Sequence, residues 1–296
     1  MKIAVIGATG KTGGELATRI LDRGHQVRAL VHNSGRAQHL AQQGAEIVEF
    51  ELSDEESTRD ALAGTDGVYY CSPLGIGQDD PFGVELSWGH HVIAGAQAAG
   101  IKHLVLLSIK GPETAPGVKM IETKRQLERD IAASDLPYTI LRANTFMDNP
   151  ETLFHDELLA GRFSMPLSST AVVQPVAVCD IAEVAARALD SAPKNRYFNM
   201  LGPDALTLRE MTEIIGQALG RPIEYVELSD EEFVARFKPF VGPPLAHALA
   251  AIYRLWEREG AVGDTAPLQR EFGASLTSCE DYARGLAKMW KSKGLL

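Results

Sequence analysis

The residues best suited to do chemistry stand at the start of the chain. Gly7-Ala8-Thr9-Gly10-Lys11-Thr12-Gly13 follows the apolar run Ile3-Ala4-Val5-Ile6 and opens an amphipathic stretch from Thr12 to Arg23. In a strand–turn–helix of this kind the first glycine permits a tight turn and the second lets a pyrophosphate approach the backbone. The third lets helix and strand pack closely. Free N–H groups at the helix start attract the anion. The pattern predicts a dinucleotide cradle built on Gly7, Thr9, Gly10, Lys11, Thr12 and Gly13. A tight structural turn is the other reading, and the βαβ context favours the cradle.

Dinucleotide sites commonly place Asp or Glu at the end of the second strand, where it accepts hydrogen bonds from the ribose 2′-OH. Here that stretch reads Leu30-Val31-His32-Asn33-Ser34-Gly35-Arg36, with no acid. A carboxylate would repel a 2′-phosphate, whereas His32, Asn33 and Arg36, with Lys11, offer donors and positive charge. NADP(H) is therefore expected over NAD(H), which stays open because Arg36 and Lys11 also suit solvated helix ends.

The elements that must position these residues follow from hydrophobic patterning. Short apolar, β-branched runs near 2–6, 26–31, 46–49, 67–71, 103–107 and 137–141 alternate with helical stretches near 12–23, 36–43, 55–63, 83–99 and 119–134. That order predicts an α/β fold, a Rossmann-type doubly wound parallel sheet. Beyond Asn149-Pro150 the rhythm loosens. A helix near 151–160, a turn at Gly161-Arg162, an extended run over 171–178, a helix over 181–189 capped by Asp180 and a strand over 197–200 are expected. The remainder reads as helices over 207–219, 230–237, 245–259 and 278–291 with a strand near 223–227. The expected organisation is a nucleotide-binding domain over 1–150, with segments of about 171–201 folding back onto it. A smaller, mostly helical substrate-side domain spans 151–296.

Composition narrows the function classes. The chain has 296 residues, 45% of them hydrophobic, and a formal net charge of −10. Its length allows one large core or two modest ones. Proteins that neutralise nucleic-acid phosphates cluster Lys and Arg, so no nucleic-acid partner is expected. No apolar run reaches 18 residues and the chain enters its first strand directly from Met1, so neither a membrane span nor a signal peptide is expected; the expected location is cytoplasmic. Cys71, Cys179 and Cys279 are far apart and lack metal-ligand spacing. His90 and His91 stand outside any HExxH frame, no GxSxG elbow is present, and Trp88, Trp256 and Trp290 suit packing.

Four stretches resemble the NmrA-like branch of the atypical short-chain dehydrogenase/reductases: 7–13; Ala-Gly-Ile-Lys-His-Leu-Val at 99–105; Leu-Pro-Tyr-Thr-Ile-Leu-Arg-Ala-Asn-Thr-Phe-Met-Asp-Asn at 136–149; and Val-Cys-Asp-Ile-Ala-Glu-Val-Ala at 178–185. Ala250-Ala-Ile-Tyr and Leu268-Gln-Arg-Glu-Phe-Gly273 look like the quinone and triphenylmethane reductase subgroup. The resemblance implies a nicotinamide dinucleotide, a substrate cleft against a small C-terminal domain, and either reductase activity or cofactor sensing without turnover. The Tyr-x-x-x-Lys pair of short-chain dehydrogenases corresponds to Met120-Ile-Glu-Thr-Lys124, so the proton-donating Tyr is absent. Lys124 stands where the family places the Lys that holds the nicotinamide ribose; alternatively it is a surface residue paired at i,i+4 with Glu128.

Strand ends are where open α/β sheets bind ligands. Ser108, in the position from which related enzymes reach substrate, and Ser72-Pro73-Leu74 are thus cleft-lining candidates, with turn capping as the alternative for Ser108. Asn144 and Phe146 resemble the family's nicotinamide-side loop and would equally suit a core. The catalytic candidates are Lys124 and Ser108. The expected activity is NAD(P)H-dependent reduction of a small aromatic or conjugated carbonyl such as a quinone, which takes its proton from water and tolerates loss of the Tyr. The alternatives are an NADP(H)-sensing regulator and a flavin-free tailoring oxygenase acting on a polyketide-like aromatic. A small-molecule substrate is the expected partner, and a homodimer stays open.

Overall fold

The computed structural model describes residues 1–296. The first half alternates β1 (Lys2–Ile6), α1 (Lys11–Asp22), β2 (Gln26–Val31), α2 (Gln38–Gln42), β3 (Glu46–Glu49), α3 (Glu55–Leu62), β4 (Gly67–Cys71), α4 (Pro81–Ala99), β5 (His103–Ile109), α5 (Lys119–Ala133) and β6 (Tyr138–Ala143). Next come α6 (Asn149–Leu153), α7 (His155–Leu159), β7 (Arg162–Met165), β8 (Val172–Val173), α8 (Val178–Asp190) and β9 (Tyr197–Met200). The chain ends with β10 (Leu206–Thr207), α9 (Leu208–Leu219), β11 (Glu224–Glu227), α10 (Asp230–Val241), α11 (Pro243–Glu259), α12 (Ala266–Phe272) and α13 (Cys279–Ser292).

Seven parallel strands form one sheet in the order β3-β2-β1-β4-β5-β6-β9. In the central strands β1, β4 and β5 alternate residues are buried on opposite faces, which is why these strands read as continuous apolar runs. Ile3 and Val5 join α1 and α8 in one core, while Ala4 and Ile6 join α3, α4 and α5 in another. A third core, around Trp256, Tyr253, Phe233 and Trp290, belongs to α9–α11 and α13. The order reverses between β1 and β4, and such a switch point opens a crevice at the strands' carboxyl ends.

Several sequence expectations are corrected. The helix expected over 151–160 is broken at Phe154 into α6 and α7. The turn expected at Gly161-Arg162 leads into β7, which pairs in parallel with β11. Of the extended run over 171–178 only Val172–Val173 forms a strand. Asp180 does not cap α8: the helix starts at Val178, and the Asp180 carboxylate accepts Thr277 N–H (2.7 Å) and Thr277 Oγ1–H (2.8 Å). Helix α12 was not expected. No helix is long and apolar enough to cross a membrane.

Candidate functional site

Two cavities open along the carboxyl edge of the sheet. The larger, about 720 Å³, is walled by the ends of β1, β2, β3 and β4, through Gly7, Thr9, His32, Glu51, Pro73 and Leu74 among others. The smaller, about 330 Å³, lies beyond the ends of β4, β5 and β6, under α11; Cys71, Ser72, Leu74, Ser108, Lys124, Asn144, Phe146, Tyr253 and Trp256 line it. Leu74 belongs to both walls, so the cavities adjoin at the loop after β4.

The glycine turn lies at the edge of the larger cavity. Gly7 has φ +81°, a conformation that favours glycine. A Cβ on Gly13 would come within 2.3 Å of the Gly7 carbonyl oxygen, so α1 packs on the turn only because that side chain is missing. Helix α1 begins at Lys11, preceded by Gly10, which offers no side-chain cap, and has no acid in its first turn. The N–H groups of Lys11, Thr12 and Gly13 are therefore free of helical partners, and the helix dipole adds positive potential there. Thr12 and Gly13 are buried, while Gly10 and Lys11 are exposed. Although Lys11 is exposed as a whole, partial desolvation by the surrounding protein lowers its ammonium below the ordinary range, against the attraction of Asp148.

At the end of β2, His32 lines the larger cavity and its Nδ1 lies 2.9 Å from Glu51 Oε1. Asn33 Oδ1 accepts Gly35 N–H at 2.9 Å, capping a short 3-10 turn over Ser34–Ala37. Arg36 is exposed on that turn, outside both cavity walls. The residues expected at this end thus divide: His32 faces the cavity, and Asn33 and Arg36 stand beside it.

The smaller cavity holds a buried ionic centre. Lys124 is 6% exposed and pairs with Glu85, itself 1% exposed. Lys124 Nζ also donates to the Ser72 carbonyl at 3.3 Å, and Ser72 Oγ donates to Glu85 at 2.7 Å. The pairing of Lys124 with Glu128 is corrected: Glu128 takes Arg125 Nη1 (2.7 Å), Arg142 Nε (3.0 Å) and the Ser108 hydroxyl. Lys124 lies on the cavity side of α5, and Glu128, one turn on, faces β5 and β6. The Ser108 hydroxyl is engaged as a donor within this second network. Arg142 also binds Glu113 at 2.6 Å and stacks 3.5 Å over the Tyr197 ring. Asn144 Nδ2 donates to the carbonyls of Gln174 (3.0 Å) and Ala261 (2.6 Å), so Asn144 ties β6 to the C-terminal segments; its Oδ1 is buried without a partner. Phe146 is half-buried in the cavity wall. Burial raises the Cys71 thiol above its ordinary range.

Sequence reasoning missed Glu85, Glu51, Tyr253 and the cavity role of Trp256. For Glu85 a signal existed: it is the only acidic or basic residue, histidines aside, in the nineteen residues of α4. A lone carboxylate in an apolar helix needs a buried partner. Trp88 lines the larger cavity, Trp256 the smaller one, and Trp290 is fully buried with Nε1 donating to Glu151 at 2.9 Å.

The model of the NmrA-like family matches residues 1–283. A (4-alkanoyl-5-oxo-2,5-dihydrofuran-3-yl)methyl phosphate reductase from Streptomyces griseus is 33% identical, over 91% of this chain and 92% of the relative. Two solved structures superpose over nearly the full length. The NADPH-dependent quinone oxidoreductase of Escherichia coli, complexed with NADPH, has a TM-score of 0.81 at 26% identity, covering 96% of this chain and 99% of that one. The triphenylmethane reductase of a Citrobacter species, complexed with NADP(H), has a TM-score of 0.79 at 25% identity, covering 97% of this chain and 100% of that one. The chain belongs to the NmrA-like family.

Proposed function

We propose that the protein is an NAD(P)H-dependent oxidoreductase that reduces a small aromatic or conjugated carbonyl such as a quinone. The observation that carries the reading is the adjacency of the two cavities: a larger one beside an uncapped helix N-terminus, and an apolar one containing a buried lysine. The residues fit a dinucleotide. Gly7, Thr9, Gly10, Lys11, Thr12 and Gly13 would hold the pyrophosphate, and His32, Asn33 and Arg36 the adenosine end, with NADP(H) favoured. Pro73 and Leu74 would line the path to Lys124, Asn144 and Phe146 at the nicotinamide end.

When bound, the reduced nicotinamide supplies a hydride. Lys124 gives one hydrogen bond to the Ser72 carbonyl and pairs with Glu85, which leaves part of its ammonium free to hold ribose hydroxyls. Ser72 and Glu85 fix the position of that ammonium. Ser108, with its hydroxyl on Glu128, shapes the cavity wall. Phe146, Tyr253 and Trp256 offer flat apolar contacts to an aromatic acceptor, and Ile252 an aliphatic one. Met120 occupies the position of the absent Tyr and lines the same cavity, so that position donates no proton. An electron-poor ring that takes its proton from water suits this arrangement. The relatives named as reductases of quinones and of an oxo-dihydrofuran support an acceptor of this class. Residues 1–150, joined by about 171–201, form the nucleotide half in this reading, and the rest of the chain forms the acceptor half.

The test is NADPH oxidation, with NADH in parallel, against a panel of quinones, enones and imines. Turnover of an electron-poor carbonyl is expected. Cofactor binding with no turnover on any acceptor would overturn the reductase reading in favour of a cofactor-sensing role.

A further inference from the structure

An acid stands beside the end of β2, on the loop that follows the neighbouring strand β3. Glu51, two residues beyond β3, lines the larger cavity beside His32, and the two side chains touch at 2.9 Å. Glu49, the last residue of β3, accepts Ser34 N–H at 2.7 Å. Gly35 N–H goes to Asn33 Oδ1 at 2.9 Å, and Arg36 N–H to the Asn33 carbonyl at 3.3 Å. Successive backbone amides at such a turn would suit a phosphate, but here all three already have acceptors within the protein. His32 and Glu51 line the cavity at this corner, with Glu49 and the exposed Arg36 beside it: two carboxylates, one guanidinium and one imidazole.

Resting on the reading of this cavity as a dinucleotide site, we infer that Glu51 limits the preference for NADP(H) by weakening NADPH relative to NADH. A ribose 2′-OH can donate to Glu51 as it donates to the second-strand acid of other dinucleotide sites. A 2′-phosphate carries close to two negative charges and has no proton to give. It must take His32 from Glu51 and then sit beside that carboxylate. The exposed His32–Glu51 pair is easily parted, since such pairs contribute little, whereas the like-charge repulsion persists while the cofactor is bound. The backbone at Glu51 is held independently of its side chain: its N–H donates to Ser57 Oγ at 3.0 Å and its carbonyl accepts Asp54 N–H at 2.9 Å. Removing the charge therefore leaves the loop in place.

The experiment is calorimetric titration of NADPH and NADH into the full-length protein and its Glu51→Gln variant, at low and high salt. The variant is expected to raise the NADPH-to-NADH affinity ratio about five- to tenfold at low salt, chiefly through tighter NADPH, and by less at high salt. An unchanged ratio, with both cofactors binding, would overturn the role of Glu51 and leave the dinucleotide reading intact. Failure of the unmodified protein to bind either cofactor would overturn both.

Discussion

Replacing Glu85 by Gln changes one atom in the deepest ionic contact of the site. Glu85 is 1% exposed, Lys124 is 6% exposed, and Ser72 Oγ donates to the same carboxylate. The amide can still accept from Ser72, so the loss is that of a charge facing a buried ammonium. Removing one partner of a buried ion pair costs about 3–5 kcal/mol, because the remaining charge is left uncompensated. At about 2–4 °C per kcal/mol for a chain of this size, the melting temperature should fall by roughly 6–20 °C. The assay is urea unfolding followed by circular dichroism, run on Glu85→Gln, Lys124→Met and the double variant. Because the double variant removes both charges, it should be more stable than the sum of the single losses by about 1–3 kcal/mol. A Glu85→Gln variant within about 0.5 kcal/mol of the parent, with additive single and double effects, would show the pair to be dispensable and refute the reasoning.

Lys124→Met should weaken NADPH binding by about 1.5–3 kcal/mol, roughly ten- to a hundredfold, in a fluorescence titration; unchanged affinity would remove Lys124 from the ribose site. Gly13→Ala should lower stability by about 1–3 kcal/mol in denaturant unfolding, since its Cβ would meet the Gly7 carbonyl oxygen at 2.3 Å; a neutral variant would contradict the close helix–turn contact. His103 is buried beside Thr139 Oγ1 (2.8 Å), and burial lowers its imidazole to about 4. Between about pH 6.5 and 4 the unfolded chain binds a proton at this residue and the folded chain does not. Stability from this residue is therefore complete above pH 6.5 and declines as pH falls towards 4, by up to about 3 kcal/mol. His103→Gln should flatten that part of the stability–pH curve, and an unaltered slope would exclude the residue.

What the sequence disclosed follows the range of the interactions involved. Gly7, Gly10 and Gly13 are read correctly as a turn because their constraint is local, and strands buried on both faces, such as Val68-Tyr69-Tyr70, announce themselves by continuous apolarity. Family resemblance points Lys124 at a cleft and the structure puts it in the wall of the smaller cavity, yet helical spacing offers it a partner one turn along α5. Tertiary packing instead turns it to Glu85 on α4, 39 positions away. Asp180 has the sequence of a helix cap, but the backbone of Thr277, brought alongside by the C-terminal segment, claims its carboxylate. The parallel pairing of β7 with β11 depends on contacts some sixty residues apart, and neither four-residue strand is patterned strongly enough to reveal it. Glu51 escaped for a related reason: the usual spacing points to the end of β2, and Glu51 reaches His32 from the loop after β3.

The claim on which the rest depends is that a nicotinamide dinucleotide lies with its pyrophosphate on the amino end of α1. Titration of NADPH into the parent protein and into Gly10→Asp tests it most directly. A Cβ at Gly10 meets only the Gly7 carbonyl oxygen, at 3.1 Å, so the fold can absorb the side chain with a small shift, while the carboxylate would face the incoming phosphates. The account predicts saturable binding to the parent at one site per chain, and affinity at least about a hundredfold weaker in Gly10→Asp, with circular dichroism unchanged. Equal affinity in the two proteins would contradict it.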